Sequence, residues 1–351
     1  MTVSAVESAA ARSTRGVREM LVRGAATVVL AAAAVWLVIN LVHAPRQFFV
    51  VLLDGLNNGA LYALIALGYT LVYGIIELIN FAHGDLFMLG AVVSAIMLYR
   101  WFDLTGPGLT ATLLLVLVLI LTMSFCAGLN MLAELVAYRR LRRAPKLAPL
   151  ITAVGISFIF QWIGQRQWMT GSTPKQWPTV ITGGGFSVFG VQVQWATLVV
   201  VGVTVPLLLI LTYIVQRTRQ GKAMRATAQD QDAARLMGIN VNRTIAFTFA
   251  LGGAMAGAAG VLYVQSVGST KFDLGFQLGL IAFTAAVLGG IGNLSGAVLG
   301  GFVIGIVQNF NEGLPYGLGQ RWSQTVIFSI LILLMVFRPS GLLGKPTTEK
   351  V

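Results

Sequence analysis

The sequence predicts an all-α polytopic membrane protein with about eight to ten transmembrane helices and with broken or re-entrant segments. Of its 351 residues, 56% are hydrophobic and only 10% are charged, whereas about a quarter of the residues in a soluble domain are charged. The chain also has 40 glycines, which suit close helix packing in lipid. Too few charges are present to cover a surface that faces water, so a soluble fold is excluded.

Ten apolar runs approach the length of about 20 residues that a spanning helix needs. They cover residues 24–42, 48–73, 84–101, 109–137, 148–167, 196–216, 243–266, 276–291, 294–310 and 322–338. Glycines interrupt the stretch 276–310, which predicts either two spans joined by a tight turn or two half-helices that meet inside the membrane. The first run follows four arginines like a secretory signal, but it is longer than a signal core, so we interpret it as a transmembrane helix.

The placement of Lys and Arg predicts the orientation. With the N-terminus in the cytoplasm, 18 of the 24 basic residues fall in inner segments and 6 in outer ones. The net charge of +12 therefore indicates topology rather than nucleic-acid binding. This predicts a cytoplasmic tail (1–23), an extra transmembrane helix (24–45), a transmembrane domain (46–340) and a second cytoplasmic tail (341–351).

Two connections are distinctive. The outer stretch 168–195 ends in an alternating pattern that predicts a small hairpin or an element at the membrane interface. The inner loop 217–243 contains helix formers from 222 to 237 between Gly221 and Gly238, which predicts one short helix closed by Gly238. Small and apolar residues beside charges fit a docking element for a soluble partner, or equally a solvated connector.

Ionisable residues at membrane depth are functional candidates because burying them is costly. They concentrate in 48–90, with Asp54, Glu77, His83 and Asp85 near several asparagines. Residues 74–84 predict an irregular break, which is tolerated at membrane depth only inside protein or beside a cavity. Alternatively, Glu77 and Asp85 flank a loop at the water interface, and a structural hydrogen bond of His83 holds that loop.

Other motifs exclude several functions. Two histidines and one cysteine are too few for a metal constellation, and we expect Cys126 to be a buried packing residue. The glycines at 289–296 lack the spacing and the preceding strand of a dinucleotide site. Glycines four residues apart, as at Gly292, Gly296 and Gly300, predict helix-packing ridges. No Walker loop or catalytic triad is present, so we expect neither catalysis nor ATP hydrolysis by this chain.

Three blocks of sequence carry a resemblance to a known family. Residues 225–239 of the inner loop read RATAQDQDAARLMGI. Residues 58–76 read NGALYALIALGYTLVYGII and are followed by INFAHGD at 79–85, and residues 282–292 read AFTAAVLGGIG. In this order, the blocks resemble the coupling loop, the amino-terminal block and the carboxy-terminal block of the branched-chain amino acid (LivH-type) family of ABC importer permeases. The resemblance runs from about residue 48 to the end, and the helix in 24–45 is a departure from the usual core.

The resemblance implies the ABC importer permease fold in a bacterial inner membrane, with both termini cytoplasmic. It implies four kinds of partner: membrane lipids, a second related permease, two ATPase subunits that bind ATP and Mg²⁺, and an external binding protein. The chain itself would bind no cofactor. The expected ATPase-coupling residues are Arg225, Ala226, Ala228, Asp230, Ala233, Ala234, Leu236 and Gly238. The expected translocation-pathway residues are Asn57, Asn58, Tyr62, Asn80, Phe81, His83 and Gly84.

Alternative functions remain open at this point. The same kind of importer carries urea, short amides or other amino acids in related systems. A stand-alone secondary transporter would use intramembrane acids as ion sites but would not need a docking helix, and a membrane scaffold would not transport at all.

Overall fold

The structure is a computed structural model that describes residues 24, 27–28, 31–78, 80–104, 108–142, 144–145, 147–177, 184–188, 191–338 and 340–344. Eight helices in this part are long and apolar enough to cross a membrane. The predicted fold class, an all-α polytopic membrane protein, is confirmed. The predicted tail 1–23, part of the run 24–42 and residues 345–351 of the second tail lie outside the described residues.

Each of the ten predicted runs contains a helix. The helices are α1 (Ala31–His43), α2 (Pro45–Ile76), α3 (Ala82–Ile96), α4 (Leu109–Ala133), α5 (Leu147–Gly164), α6 (Trp195–Arg217), α7 (Arg219–Gln229), α8 (Gln231–Leu236), α9 (Val241–Val267), α10 (Leu274–Gly289), α11 (Leu294–Gly313) and α12 (Ser323–Phe337). The strands are β1 (Lys175–Gln176), β2 (Gly185–Val188), β3 (Val191–Gln194) and β4 (Ser269–Thr270). A π-helical turn at Met97–Trp101 extends α3, another at Glu134–Tyr138 extends α4 towards Arg139–Leu141, and a 3₁₀ turn at Gln320–Trp322 precedes α12.

Helices α2, α3 and α9 form the centre of the bundle. In the apolar windows of α2 and α3, 83% of residues are buried, and α9 is similar, whereas only 17% are buried in α4 and 11% in α12. The apolar side chains on α4, α5, α6 and α12 are mostly exposed. A lipid environment would cover these surfaces, because acyl chains are as apolar as leucine.

Glycine contacts explain how the central helices approach each other. A Cβ at Gly305 of α11 would overlap the backbone of Gly59 in α2, and one at Gly301 would overlap Ala63. Close backbone approach of this kind holds membrane helices together without a hydrophobic driving force. The predicted packing ridge is confirmed at Gly296 and Gly300, but Gly292 is a turn residue with φ +91°.

The interrupted stretch 276–310 forms two helices, α10 and α11, joined by a turn at residues 290–293. The peptide N–H groups of Leu342 and Leu343 donate to the carbonyls of Leu288 (2.8 Å) and Gly289 (3.0 Å). The segment after α12 thus satisfies backbone carbonyls at the end of α10 that have no partner within the helix. With 16 residues, α10 is roughly 24 Å long, shorter than a typical bilayer core of about 30 Å.

The predicted hairpin in 168–195 is present. Strands β2 and β3 pair antiparallel, with Phe186 opposite Val193. A second small pair joins β1 to β4, and Trp177 Nε1 donates to Thr270 Oγ1 at 2.8 Å. We name this region the hairpin end of the bundle, and we name the opposite end, which carries α7 and α8, the α7–α8 end.

Helix α1 packs against the connection between α11 and α12. The Trp36 indole donates to the Tyr316 carbonyl at 2.7 Å, and Trp36 and Leu37 join a small apolar cluster around Phe310. This cluster is separate from the main core. Cys126 is buried between α3 and α9, as predicted, against Gly90 and Gly257.

Candidate functional site

The predicted translocation residues lie at two different depths of the bundle. Asn57 and Tyr62 lie near the middle of α2, whereas His83 packs against Tyr69, nearer the end of this helix, with ring centroids 4.8 Å apart. A helix rise of 1.5 Å per residue puts Asn57 and Tyr69 roughly 18 Å apart along the axis. The set is therefore divided between two polar regions.

The first region connects α2 to α11. The Tyr62 hydroxyl donates to Gln308 Oε1 at 2.7 Å, and Gln308 Nε2 donates to Glu312 Oε1 at 3.0 Å. Tyr62 is buried, whereas Gln308 and Glu312 are half-buried. This hydrogen-bonded chain runs from the interior to the surface of α11.

Two asparagines extend this region. Asn57 Nδ2 donates to Ser266 Oγ of α9 at 2.7 Å, and Asn58 Nδ2 donates to Asn309 Oδ1 at 3.3 Å. We name the whole group the α2–α11 polar cluster; it comprises Asn57, Asn58, Tyr62, Ser266, Gln308, Asn309 and Glu312. Sequence analysis found only the α2 members. The same rule, that polar residues at membrane depth are functional candidates, could have identified Gln308, Asn309, Asn311 and Glu312 at the end of the apolar run on α11.

The second region is the break between α2 and α3. Helix α2 ends at Glu77, whose φ of +51° is left-handed, and Asn80 Oδ1 accepts a hydrogen bond from the Tyr138 hydroxyl at 2.8 Å. Tyr138 packs against Phe249, with ring centroids 5.5 Å apart. Phe249 lies eight residues after Val241, the first residue of α9. The contact that links the break to α9 through Tyr138 is therefore roughly 12 Å along this helix from its first residue. We name residues 77, 78, 80 and 81 the recessed break.

The two acids beside the recessed break have different environments. Glu77 is exposed, as the interface interpretation predicts, but Asp85 is completely buried. Asp85 Oδ2 accepts hydrogen bonds from Ser157 and, at 3.4 Å, from Gln161 of α5. The interface interpretation is therefore wrong for Asp85, which lies between α3 and α5 inside the protein.

His83 is held mainly by packing rather than by the structural hydrogen bond that one interpretation expected. Its buried ring fills the space beside Gly68. Neither ring nitrogen makes a hydrogen bond of good geometry within the described residues, although the Ile65 backbone contributes a weak polar contact. No group of three His, Cys, Asp or Glu side chains that could hold a metal occurs in this part of the chain.

Phe81 and Gly84 complete the predicted set. The Phe81 ring lies 6.0 Å from that of Phe283 in α10, and Gly84 packs against the backbone of Gly275 and Gly279. These contacts place the recessed break against α10. The gap lined by Tyr69, Asn80 and Phe283 has a volume of only about 10 Å³, which is room for one water molecule at most.

The predicted docking helix in 217–243 is two helices rather than one. Asp230 is extended (φ −157°, ψ 115°) and ends α7. Its Oδ1 accepts from the backbone N–H groups of Asp232 at 2.8 Å and Ala233 at 3.0 Å, which makes it the N-cap of α8. The single-helix prediction was wrong because helix formers on both sides concealed this cap. The left-handed Gly238 (φ +79°) ends α8, as predicted.

The eight predicted coupling residues divide by exposure. Ala234 is buried in the core, and Ala226 is half-buried. The others are exposed: Arg225, Ala228, Asp230, Ala233, Leu236 and Gly238. Helix α7 is attached to the bundle by the buried residues Gly221, Met224 and Thr227, whose spacing defines one helix face.

An exposed apolar tip ends this segment. Leu236 is 90% exposed and Met237 is 83% exposed. A cavity of about 580 Å³ lies behind the segment, between α2, α7 and the α10–α11 turn. Arg225 and Ala228 line this cavity together with Gly74 and Asn293.

Comparison with known proteins assigns this architecture to a class. Residues 51–336 match a family model described as a branched-chain amino acid transport system permease component. The chain is 40% identical, over 86% of its length and 97% of the relative, to a high-affinity branched-chain amino acid transport system permease protein (BraD) of Pseudomonas aeruginosa. It is 38% identical to the corresponding protein (LivH) of Escherichia coli, over 85% of this chain and 96% of the relative. No solved structure gives a significant match.

These similarities define the chain as a multi-pass membrane permease, a transport subunit rather than an enzyme. The chain belongs to the family of branched-chain amino acid transport permeases. The resemblance inferred from residues 58–76, 225–239 and 282–292 is thereby confirmed. Helix α1 lies before the matched region, which begins at residue 51.

Proposed function

We propose that this chain is the permease subunit of an ATP-driven importer of branched-chain or related amino acids. In this proposal it pairs with a second, related permease, and an external binding protein delivers the amino acid at the hairpin end. Two ATPase subunits dock at the α7–α8 end, which lies in the cytoplasm with both chain termini. ATP and Mg²⁺ bind to those subunits, and this chain carries no cofactor.

The apolar tip of α8 is the observation that carries the proposal. Leu236 is 90% exposed although it lies in the most polar loop of the chain. Burial of this apolar side chain by a soluble partner would lower the free energy and stabilise the complex. The tip is also well anchored, because Ala234 and Met224 on the same segment are buried in the core. Movement of a docked partner would therefore be transmitted into the bundle rather than absorbed by a mobile loop.

The cavity behind α7 supports alternating access. It separates the docking segment from the second half of α2 and from the α10–α11 turn. Displacement of α7 into this space would move the recessed break and α10 relative to each other. The half-buried α2–α11 polar cluster offers amide and carboxylate groups that match the charges and hydrogen bonds of an amino acid zwitterion.

Replacement of the tip tests this function. We expect Leu236→Ser to lower ATP-dependent uptake of labelled leucine in proteoliposomes at least tenfold, because the partner loses its apolar contact. Insertion and thermal unfolding should not change, since the side chain touches little of its own chain. The control is Gln229→Ser, an exposed change at the end of α7, and it should retain uptake.

Other outcomes would contradict the proposal in distinct ways. Uptake by the isolated chain along an ion gradient, without ATPase subunits, would indicate a secondary transporter that uses Asp85 as an ion site. Uptake of urea but not leucine by the complete complex would keep the importer and change its substrate. Normal ATP-dependent uptake by Leu236→Ser would exclude the tip as the dock.

A further inference from the structure

A pocket of basic side chains lies at the α7–α8 end, apart from both polar regions and from the apolar tip. Its volume is about 450 Å³. It is lined by Arg139, Arg140, Arg142, Gln231, Asp232, Arg235 and Asn242. The pocket therefore joins the end of α4 to α8 and to the beginning of α9. We name it the arginine pocket.

A buried acid organises one wall of the pocket. Glu134 is completely buried in the π-helical turn that extends α4. It accepts a hydrogen bond from Arg139 Nη2 at 3.0 Å and another from Arg142 Nη2. Arg142 Nη1 also donates to Asn242 Oδ1 at 2.7 Å. Two guanidinium groups are thus held in place before any ligand binds.

The opposite wall is more open. Arg235 is paired with Asp232 of its own helix at 2.6 Å, and both side chains are exposed. Arg140 has no hydrogen-bond or ion-pair partner among the described residues. Four guanidinium groups face two carboxylates, which leaves a net charge of +2 for an anion to neutralise. Arginine is well suited to this role because its planar fork matches phosphate oxygens.

The position of the pocket distinguishes between possible anions. Before the pocket, Leu132 in the last turn of α4 and Val136 in the π-helical turn that follows are 53% and 61% exposed. These apolar side chains face outward from the bundle, where acyl chains would lie. The pocket follows where this apolar surface ends, which is where lipid headgroups would lie.

We propose that the arginine pocket binds a phosphate group, and that the ligand is the headgroup of an anionic phospholipid in the adjacent leaflet. Arg139 and Arg142, which Glu134 holds in place, supply preorganised donors. Arg140 and Arg235 close over the phosphate from the solvent side. The acyl chains then run along the exposed face of α4. This inference does not depend on the proposed importer function, because lipid binding is measured on the isolated chain.

Lipid titration of the purified full-length chain tests the proposal. The probes are phosphatidylglycerol and, as the zwitterionic comparison, phosphatidylcholine, with bound lipid counted by native mass spectrometry. We expect Arg140→Gln with Arg235→Gln to weaken phosphatidylglycerol binding at least tenfold. This pair leaves Glu134, Arg139 and Arg142 intact, so thermal unfolding should be unchanged.

The matched control removes the same number of positive charges from the same end of the bundle. Arg217→Gln with Arg219→Gln lies outside the pocket and should change phosphatidylglycerol binding less than twofold. Equal losses in the two double variants would mean that the basic surface attracts lipid without a defined site, and would overturn the proposal. So would equal affinity for phosphatidylglycerol and phosphatidylcholine.

Two further arms identify the source of the phosphate and the class of ligand. Displacement of phosphatidylglycerol by inorganic phosphate at equal concentration would keep the phosphate site and overturn its assignment to lipid. Loss of ATPase-subunit binding in Arg140→Gln with Arg235→Gln, with lipid binding unchanged, would make the pocket a protein interface and contradict the proposal. Selective loss of phosphatidylglycerol binding alone would support it.

Discussion

At the scale of single residues, the structure relates His83 to one glycine. Gly68 faces the imidazole, and a Cβ at this position would overlap the ring and lie 3.0 Å from the Gly252 carbonyl oxygen. The small residue in α2 thus allows a large polar one in α3 to be buried between α2 and α9. The sequence alone does not predict this contact, because Gly68 and His83 lie on different helices.

We expect Gly68→Ala to destabilise the chain by about 1–3 kcal/mol, the usual cost of overpacking a core. His83→Ala added to it should restore part of that loss, because the ring that the new methyl group meets is removed. Thermal unfolding in detergent measures both effects. Gly155→Ala, where a Cβ meets nothing within 4 Å, is the control. Equal stability of Gly68→Ala and the control would show that His83 moves aside freely.

Tyr138 offers a second test at this scale. Tyr138→Phe leaves Asn80 Oδ1 buried without its donor, and an orphaned buried acceptor costs about 1–3 kcal/mol. We expect a lower unfolding temperature and faster backbone hydrogen exchange in residues 77–81. Tyr213→Phe, at an exposed position, should change neither measurement. Unchanged exchange in Tyr138→Phe would mean that Asn80 does not hold the recessed break in place.

At the scale of elements, the α7–α8 segment depends on one cap. Asp230 ends α7 and begins α8, and this corner directs Leu236 and Met237 into solvent. A continuous helix from 219 to 237 would carry the tip in another direction. The geometry of the proposed dock is therefore determined by one carboxylate rather than by the helix formers around it.

We expect Asp230→Ala to weaken α8 by about 1 kcal/mol, the typical contribution of an N-cap, and to lower ATP-dependent uptake. Asp230→Asn should retain most of the uptake, because asparagine caps helices as well as aspartate does. Uptake and limited proteolysis of residues 229–240 are the measurements. A defect of the same size in both variants would indicate that the charge, rather than the cap, is required.

At the scale of the whole molecule, α1 is an addition to a complete core. The main apolar core contains no residue of α1, whose contacts are with residues 310–316 and the beginning of α2. We expect a chain that begins at residue 45 to insert, and to unfold only a few degrees below the full chain. Fluorescence-detected size exclusion during heating measures this. Failure of the shortened chain to insert would make α1 part of the core fold.

Much of this molecule could be predicted from composition and pattern. The apolar runs identified each described helix of membrane-spanning character, because a spanning segment must satisfy its backbone hydrogen bonds within itself and is therefore local in sequence. The Gly238 terminus was equally predictable, since a left-handed cap depends on its own residue. The three family-like blocks identified the class of protein because each is a continuous stretch of sequence.

Tertiary structure alone decided which residues share a site. Asp85 and Glu77 look alike in sequence, but contacts from α5 bury one and leave the other in solvent. The partners of Tyr62 and Asn58 come from α11, 246 and 251 residues away. Likewise, the arginine pocket joins α4 to α8. Periodicity shows that a helix exists, but packing between distant segments determines which helix faces meet, and the polar clusters of this permease lie where those faces meet.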